Sequence, residues 1–186
     1  MTDLETGAEG VRWTLGDLHE DRDALQDSLA DADEAAEAFA EAYRGEVTTL
    51  EPAVLAEALD ELESIQDRLG RAYAFAYLHW STDTNDGERG ALLQSVREDY
   101  NRIQQKLLFF EVEWAEVSDD RAEALMADEA LSDYRHYLET EQLKKEHVLT
   151  EPEEKVLSEK SITGDQAWTR YFDETLGATR YELDGE

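Results

Sequence analysis

Apolar positions along the chain fall into three long stripes at helical spacing. The first runs Leu18, Leu25, Leu29, Ala32, Ala36, Phe39, Tyr43, and the second Leu55, Leu59, Leu62, Leu69, Tyr73, Ala76, Trp80. The third is Leu93, Val96, Tyr100, Ile103, Leu107, Phe110, Trp114, Val117, where steps of three and four alternate without a miss. A stripe of this kind lies along one side of a helix with 3.6 residues per turn. Thr14, after Trp13, is placed to cap the first helix, and Gly45 to end it. Pro52 suits the first turn of the second, and the run Ser81–Gly87 reads as the turn before the third. Three long helices joined by short connections pack as an antiparallel bundle.

Beyond Ser118 the periodicity shortens. Ala122 to Met126 predicts one or two turns, and Ser132 is placed to cap a helix through Leu143. Thr150-Glu151-Pro152-Glu153 has the form of a capping box and opens a helix to about Lys160. Thr163-Gly164-Asp165-Gln166 has the same form; its helix is expected to bury Trp168 and Phe172 and to end at Gly177. Thr179 to Leu183 alternates weakly, as a short strand would, and Asp184-Gly185 after it is a hairpin signal without a second strand. A hairpin cut in this way favours a fragment over a natural short protein. The expected fold class is therefore all-α, a long antiparallel bundle followed by shorter helices with a short terminal strand. The expected division is 1–12 as a leader, 13–118 as the three-helix bundle, and 119–186 as a short-helix region.

Charge adds a second layer. The 186 residues carry 47 acidic and 17 basic side chains, a formal net charge of −30. The acids are spread through every segment rather than gathered in a tail. Two readings account for such a field: a basic partner or nucleic-acid mimicry, and adaptation to a salt-loaded cytoplasm such as that of a halophilic archaeon. Even spacing favours the second, because at molar salt the screening length falls to about 3 Å and carboxylates hydrate the surface without repelling at range. The field argues against nucleic acid and anionic lipid as ligands. The absence of cysteine excludes disulfides, thiolate metal sites and thiol nucleophiles. No apolar run approaches the ~20 residues of a membrane span, and no signal peptide is visible. A cytoplasmic location is the expectation.

Catalytic patterns are missing. His19-Glu20 is the one His-Glu pair, and a zinc-binding H-E-x-x-H would need a second His where Asp23 stands. Glu three residues before a His, as a di-iron bundle requires, is absent: the positions hold Gly16, Ala76, Asp133 and Lys144. Asp133 with His136 comes nearest. No nucleophile elbow, phosphate-binding loop or dinucleotide fingerprint occurs. The expected catalytic, cofactor-binding and metal residues are accordingly none. Two aromatic stretches stand out, Tyr73 to Trp80 and Tyr134-Arg135-His136-Tyr137. The first reads chiefly as core, with a peptide groove as the alternative. In the second, helix-end pairing and a peptide contact stay open.

Several segments resemble the N-terminal part of oligoendopeptidase F, in the M3 family of zinc metallopeptidases. They include Tyr43-Arg44-Gly45-Glu46-Val47, Asp83 to Asp86, Leu107 to Glu111, Tyr134 to Glu139 and, most specifically, the run from His147 through Trp168 to Glu174. The resemblance implies a helical shell that admits short peptides, with zinc and the general base on a downstream H-E-x-x-H helix that has no counterpart here. It implies zinc in the full-length enzyme and none in this chain. An oligopeptide substrate and the missing catalytic domain are the implied partners, and a homo-oligomer is compatible. A free-standing acidic interaction module is the alternative function. If the acidity is salt adaptation, lowering KCl from about molar to about a tenth molar lowers the melting temperature. A melting temperature that is flat or higher at low salt contradicts it.

Overall fold

The computed structural model describes residues 14–180. They form seven α-helices: α1 (Arg22–Tyr43), α2 (Pro52–Ser81), α3 (Gly87–Glu116), α4 (Asp119–Met126), α5 (Arg135–Lys144), α6 (Glu151–Thr163) and α7 (Asp165–Ala178). No strand occurs among the described residues. Of the expected terminal strand, Thr179 and Arg180 are irregular, and the rest lies outside the described residues with Trp13 and the leader.

Cross-helix contacts set the bundle's directions. Gln66 of α2 exchanges amide hydrogen bonds with Gln104 of α3, and Arg97 Nη2 donates to the Tyr73 hydroxyl at 3.4 Å. As one number rises the other falls, so α2 and α3 run antiparallel. Arg68 reaches Asp31 and Tyr43 reaches Glu61, which makes α1 and α2 antiparallel too. Asp33 pairs with Arg102 and Glu37 with Lys106, so α1 and α3 run parallel. Between the three lies one continuous core of Leu25, Leu29, Phe39, Leu55, Leu69, Trp80, Leu93, Ile103, Phe110 and Trp114.

The helix ends explain where the stripes stop. Gly45 has φ +84°, the left-handed conformation in which a side chain would be strained. The loop after it is fastened to α3, because the Glu113 carboxylate accepts from the Gly45 and Val47 backbone N–H groups. Arg121 of α4 donates to the Thr48 and Leu50 carbonyls from the other side. Asp86 caps α3 by accepting from Glu88 and Arg89 N–H.

Three cap assignments are corrected. Thr14 does not cap α1; the chain makes a turn from Leu15 to His19, and Asp21 caps the helix by accepting from the Ala24 N–H at 2.9 Å. Ser132 does not cap α5, because a 3₁₀ turn over Glu129–Leu131 carries the chain on to Tyr134. The capping box at Thr150 forms: the Glu153 carboxylate accepts from the Thr150 N–H at 3.1 Å and from its hydroxyl at 2.6 Å. The second capping box does not form, since Gly164 occupies the cap of α7 without a side chain to offer.

α5 closes over the end of α3. The indole N–H of Trp114 donates to the Leu138 carbonyl inside the core, and Gln142 and Lys145 donate to the Trp114 and Val117 carbonyls. The chain then turns back along α3. Glu151 meets Arg44, Ser158 meets Asn101, Arg170 lies against Gly90 and Gly177 against Thr84, so α6 and α7 together run antiparallel to α3. A Cβ at Gly177 would sit 2.5 Å from the Thr84 hydroxyl, which sets how close α7 lies to the α2–α3 turn.

α7 departs from the expectation that it buries Trp168 and Phe172. Gln166, Arg170, Asp173 and Glu174 are its partly covered residues, while Trp168 is 72% exposed and Phe172 60%. Tyr171 and Leu176 lie on the same outward side. The helix presents its polar face to the bundle and its apolar face outward. Phe110, 1% exposed and in contact with Phe39, tests the bundle register. Phe110→Ala should lower the unfolding free energy in denaturant by about 3–5 kcal/mol; a loss under about 1 kcal/mol would contradict the register.

Candidate functional site: an acidic groove between α2, α3, α5 and α6

A groove of about 970 Å³ lies between α2, α3, the α5 side and α6. Its floor is the apolar edge of the bundle, where Leu59 and Leu62 of α2 meet Leu107 and Phe110 of α3. Its walls are polar because each helix turns its next face toward solvent. α2 contributes Asp60, Glu63 and Gln66; α3 contributes Asn101, Gln104, Gln105 and Glu111; Tyr134, Tyr137 and Asp133 close it from the α5 side. Ser158 of α6 completes the rim. Among the described residues no Lys or Arg lines it.

Both tyrosines are held neutral, and Tyr134 is held as a donor. Tyr134 donates to the Glu63 carboxylate at 3.0 Å and lies 3.5 Å from Asp60. Burial and that hydrogen bond push its hydroxyl up to about 12. Burial, with the carboxylates of Glu111 and Glu141 beside it, pushes Tyr137 up as well. Glu111 reaches solvent through the groove, yet protein packed around its carboxyl and repulsion from Glu141 raise it above the usual carboxylate range, with Lys144 opposing. None of Asp60, Glu63, Glu111 and Asp133 makes an ion pair within 4 Å among the described residues.

Four basic residues meet elsewhere. Arg44, Arg102, Lys106 and Lys155 line a shallower hollow between α1, α3 and α6. There they are engaged with acids: Arg102 and Lys106 with Asp33, Lys106 also with Glu37, and Arg44 and Lys155 with Glu151. Burial alone would raise the Asp33 carboxyl, but hydrogen bonds from Arg102 and Lys106 hold it below its ordinary value. Arg44 also stacks 4.4 Å over the Phe109 ring.

The four histidines are dispersed. His19 is buried edge-on against Phe75 at 5.7 Å, and burial followed by the nearby Arg71 charge lowers its pKa. His79 stacks parallel to the same ring at 6.3 Å. His136 is exposed beside an exposed Asp133, and His147 is exposed at the α5–α6 connection. Among the described residues no group of three or more His, Cys, Asp or Glu is placed to hold a metal ion. The residues present therefore do not fit the zinc that the resemblance implies for a full-length enzyme.

Of the stretches singled out in the sequence, Tyr134-Arg135-His136-Tyr137 divides: both tyrosines enter the groove, while Arg135 donates to the Met126 carbonyl and His136 faces water. In the Tyr73–Trp80 stretch, Phe75 and Trp80 are core and Tyr77 and Leu78 face outward. Asp60, Glu63, Gln66 and Glu111 were not foreseen, since each reads as one more polar position on an amphipathic helix. No helix among the described residues is long and apolar enough to cross a membrane.

Residues 113–181 match the family model of the oligopeptidase F N-terminal region of M3 peptidases. The matched segment runs from the last turn of α3 through α4, α5, α6 and α7. It supports an M3 peptidase N-terminal region in this chain. No curated protein and no solved structure matches it.

Proposed function

We propose that this chain is the N-terminal, substrate-enclosing part of an oligoendopeptidase F-like zinc peptidase that hydrolyses short peptides in a salt-rich cytoplasm. The observation that carries the reading is the match of residues 113–181 to the oligopeptidase F family model, a segment that holds all of α7 and reaches one side of the groove. Residues 113–181 include Tyr134 and Tyr137 at the groove and the outward apolar face of α7.

The two surfaces suit two roles. The groove, with apolar floor and polar rim, suits contact with an extended peptide. The face of Trp168, Tyr171, Phe172 and Leu176 is a row of large apolar side chains at helical spacing on one side of α7. A patch of that kind, carried on a helix whose polar side already meets the bundle, suits docking of a zinc-bearing catalytic part. The same reading keeps 13–118 as the bundle and 119–186 as the region that leads toward that part.

Hydrolysis in such a peptidase requires a metal-activated water and three protein ligands around an open position. This chain's contribution is to bind and enclose. The purified chain should therefore carry no stoichiometric zinc and should not cleave a quenched oligopeptide, with or without added zinc. Adding a separately produced segment of oligoendopeptidase F that bears the zinc site should form a complex, and Trp168→Ala/Phe172→Ala should weaken it without lowering the melting temperature. Zinc-dependent turnover by the chain alone would contradict the proposal and move attention to Asp133 and His136.

A further inference from the structure

Arg97 of α3 stands apart from the other bases. It is the most buried Lys or Arg among the described residues, 8% exposed. Bases elsewhere are given acceptors: Arg102 and Lys106 share Asp33, Arg44 holds Glu151, and Arg121 holds two carbonyls. Arg97 has neither kind. Among the described residues no carboxylate lies within 4 Å of it. Its Nη2 donates to the Tyr73 hydroxyl at 3.4 Å, and its Nε is buried without a partner. The Tyr73 ring centre is 5.9 Å from the guanidinium carbon, at the outer limit of a cation–π contact. A buried guanidinium left in this way is costly unless something else meets its charge. In a chain with 47 acidic residues, the missing carboxylate is not a matter of supply.

The surroundings of Arg97 connect it to the groove. Gln66 and Tyr100 are the last groove residues of α2 and α3 in its direction, and the Tyr100 ring lies 6.2 Å from that of Tyr73. Gly70 falls between Gln66 and Tyr73 on the same face of α2, and a Cβ there would meet nothing within 4 Å. Glycine inside a helix costs stability relative to alanine. Here it leaves bare backbone and free space between the groove's end and the residues around the guanidinium. Two turns further along α2 from Tyr73, the indole Nε1 of Trp80 is likewise buried without a partner. The seam between α2 and α3 is thus short of acceptors, not of donors.

We propose that Arg97, with the Tyr73 hydroxyl beside it, receives the C-terminal carboxylate of an oligopeptide lying in the groove. The inference rests on the reading of the groove as a peptide-facing wall and adds the residue that anchors one end of the peptide. A guanidinium offers a carboxylate two N–H groups in one plane, and charge-assisted hydrogen bonds of that kind are short and strong. The acidic surface around it repels carboxylates, so the anchor is local and fixes which end of the peptide is held there.

The test is calorimetric titration of the chain at about 1 M KCl, where the general field is screened beyond about 3 Å. Three N-acetylated pentapeptides are compared: one with a free C-terminal carboxylate, its C-terminal amide, and an amide with Glu as the last residue. The free acid should bind at least about tenfold more tightly than either amide. Arg97→Met should bring the free acid down to the level of its amide. Arg97→Lys should retain part of the preference, and it carries the test if Arg97→Met does not fold. Gly70→Leu should weaken binding of the free acid while melting no lower than the parent, because it removes a glycine from a helix. Arg22→Met, which removes an exposed base from α1, should leave the preference in place. Equal affinity for acid and amide, or a loss in Arg97→Met that falls equally on both, overturns the inference while the peptide-facing reading stands. Tighter binding of the Glu amide than of the free acid assigns Arg97 to a side-chain carboxylate and overturns the terminal assignment. If no peptide binds, the peptide-facing reading fails with it.

Discussion

Burial of α3 is the constraint on which the rest of the molecule depends. A chain with a net charge of −30 has little but apolar contact to draw its helices together, and α3 touches α1, α2, α5 and α6. Its inner side supplies Leu93, Val96, Ile103, Leu107, Phe110 and Trp114 to the bundle, all at most 3% exposed. Its far end is held by polar means. Trp114 donates into α5, the carbonyls of Trp114 and Val117 accept from α5 and the residue after it, and Glu113 gathers the N–H groups of the α1–α2 loop. The short helices are thus placed by the last turns of α3, and with them the tyrosines of the groove.

The same constraint orders the charges. Where α1, α3 and α6 come together, acids and bases meet in pairs, and Asp33, Arg102, Lys106, Arg44 and Glu151 form linked contacts across three helices. Exposed pairs of this kind contribute little singly, roughly 0–1 kcal/mol each. Their larger consequence is spatial: they occupy scarce bases on one side of α3 and leave the groove on the other with carboxylates alone. α7 shows the complementary arrangement. Its Arg170 and Glu174 are satisfied against each other near the bundle, and its aromatic residues are left for something else to cover.

Much of this was legible in the sequence, and the failures have physical causes. The third stripe gave the buried face of α3 because one helix side meets one continuous core. Pro52, Gly45 and the Thr150 box acted locally and were readable locally. Thr14 was a sound cap by residue type, but Asp21 won because Leu15 to His19 form their own turn against the bundle, with Arg71 holding the Asp17 and Leu18 carbonyls. Trp168 and Phe172 were expected inside because large aromatics at helical spacing are usually core; here the polar side of the same helix found partners at Thr84 and Gly90. The groove was least legible. Asp60 with Glu63, Glu111, and Asp133 come from three separate places in the chain, and only the antiparallel register of α2 on α3, with the α5 side folded over, assembles them. The motif Tyr43-Arg44-Gly45-Glu46-Val47 gains a reason it lacked as a string: Arg44 bridges to α6, Gly45 turns, and Val47 is fully buried.

Burial makes α3 the organising element and α6–α7 a layer whose outer face is left exposed among the described residues. Native-state hydrogen exchange on the isolated chain measures that difference directly, since amides report the free energy of opening segment by segment. The slowest amides should lie in α3 between Val96 and Trp114 and exchange only with global unfolding. Those of α6 and α7 should exchange through smaller openings while α1, α2 and α3 stay closed. Protection in α7 equal to that in α3 would contradict the account, because it would mean that α7 is held in the isolated chain as firmly as the core it packs against.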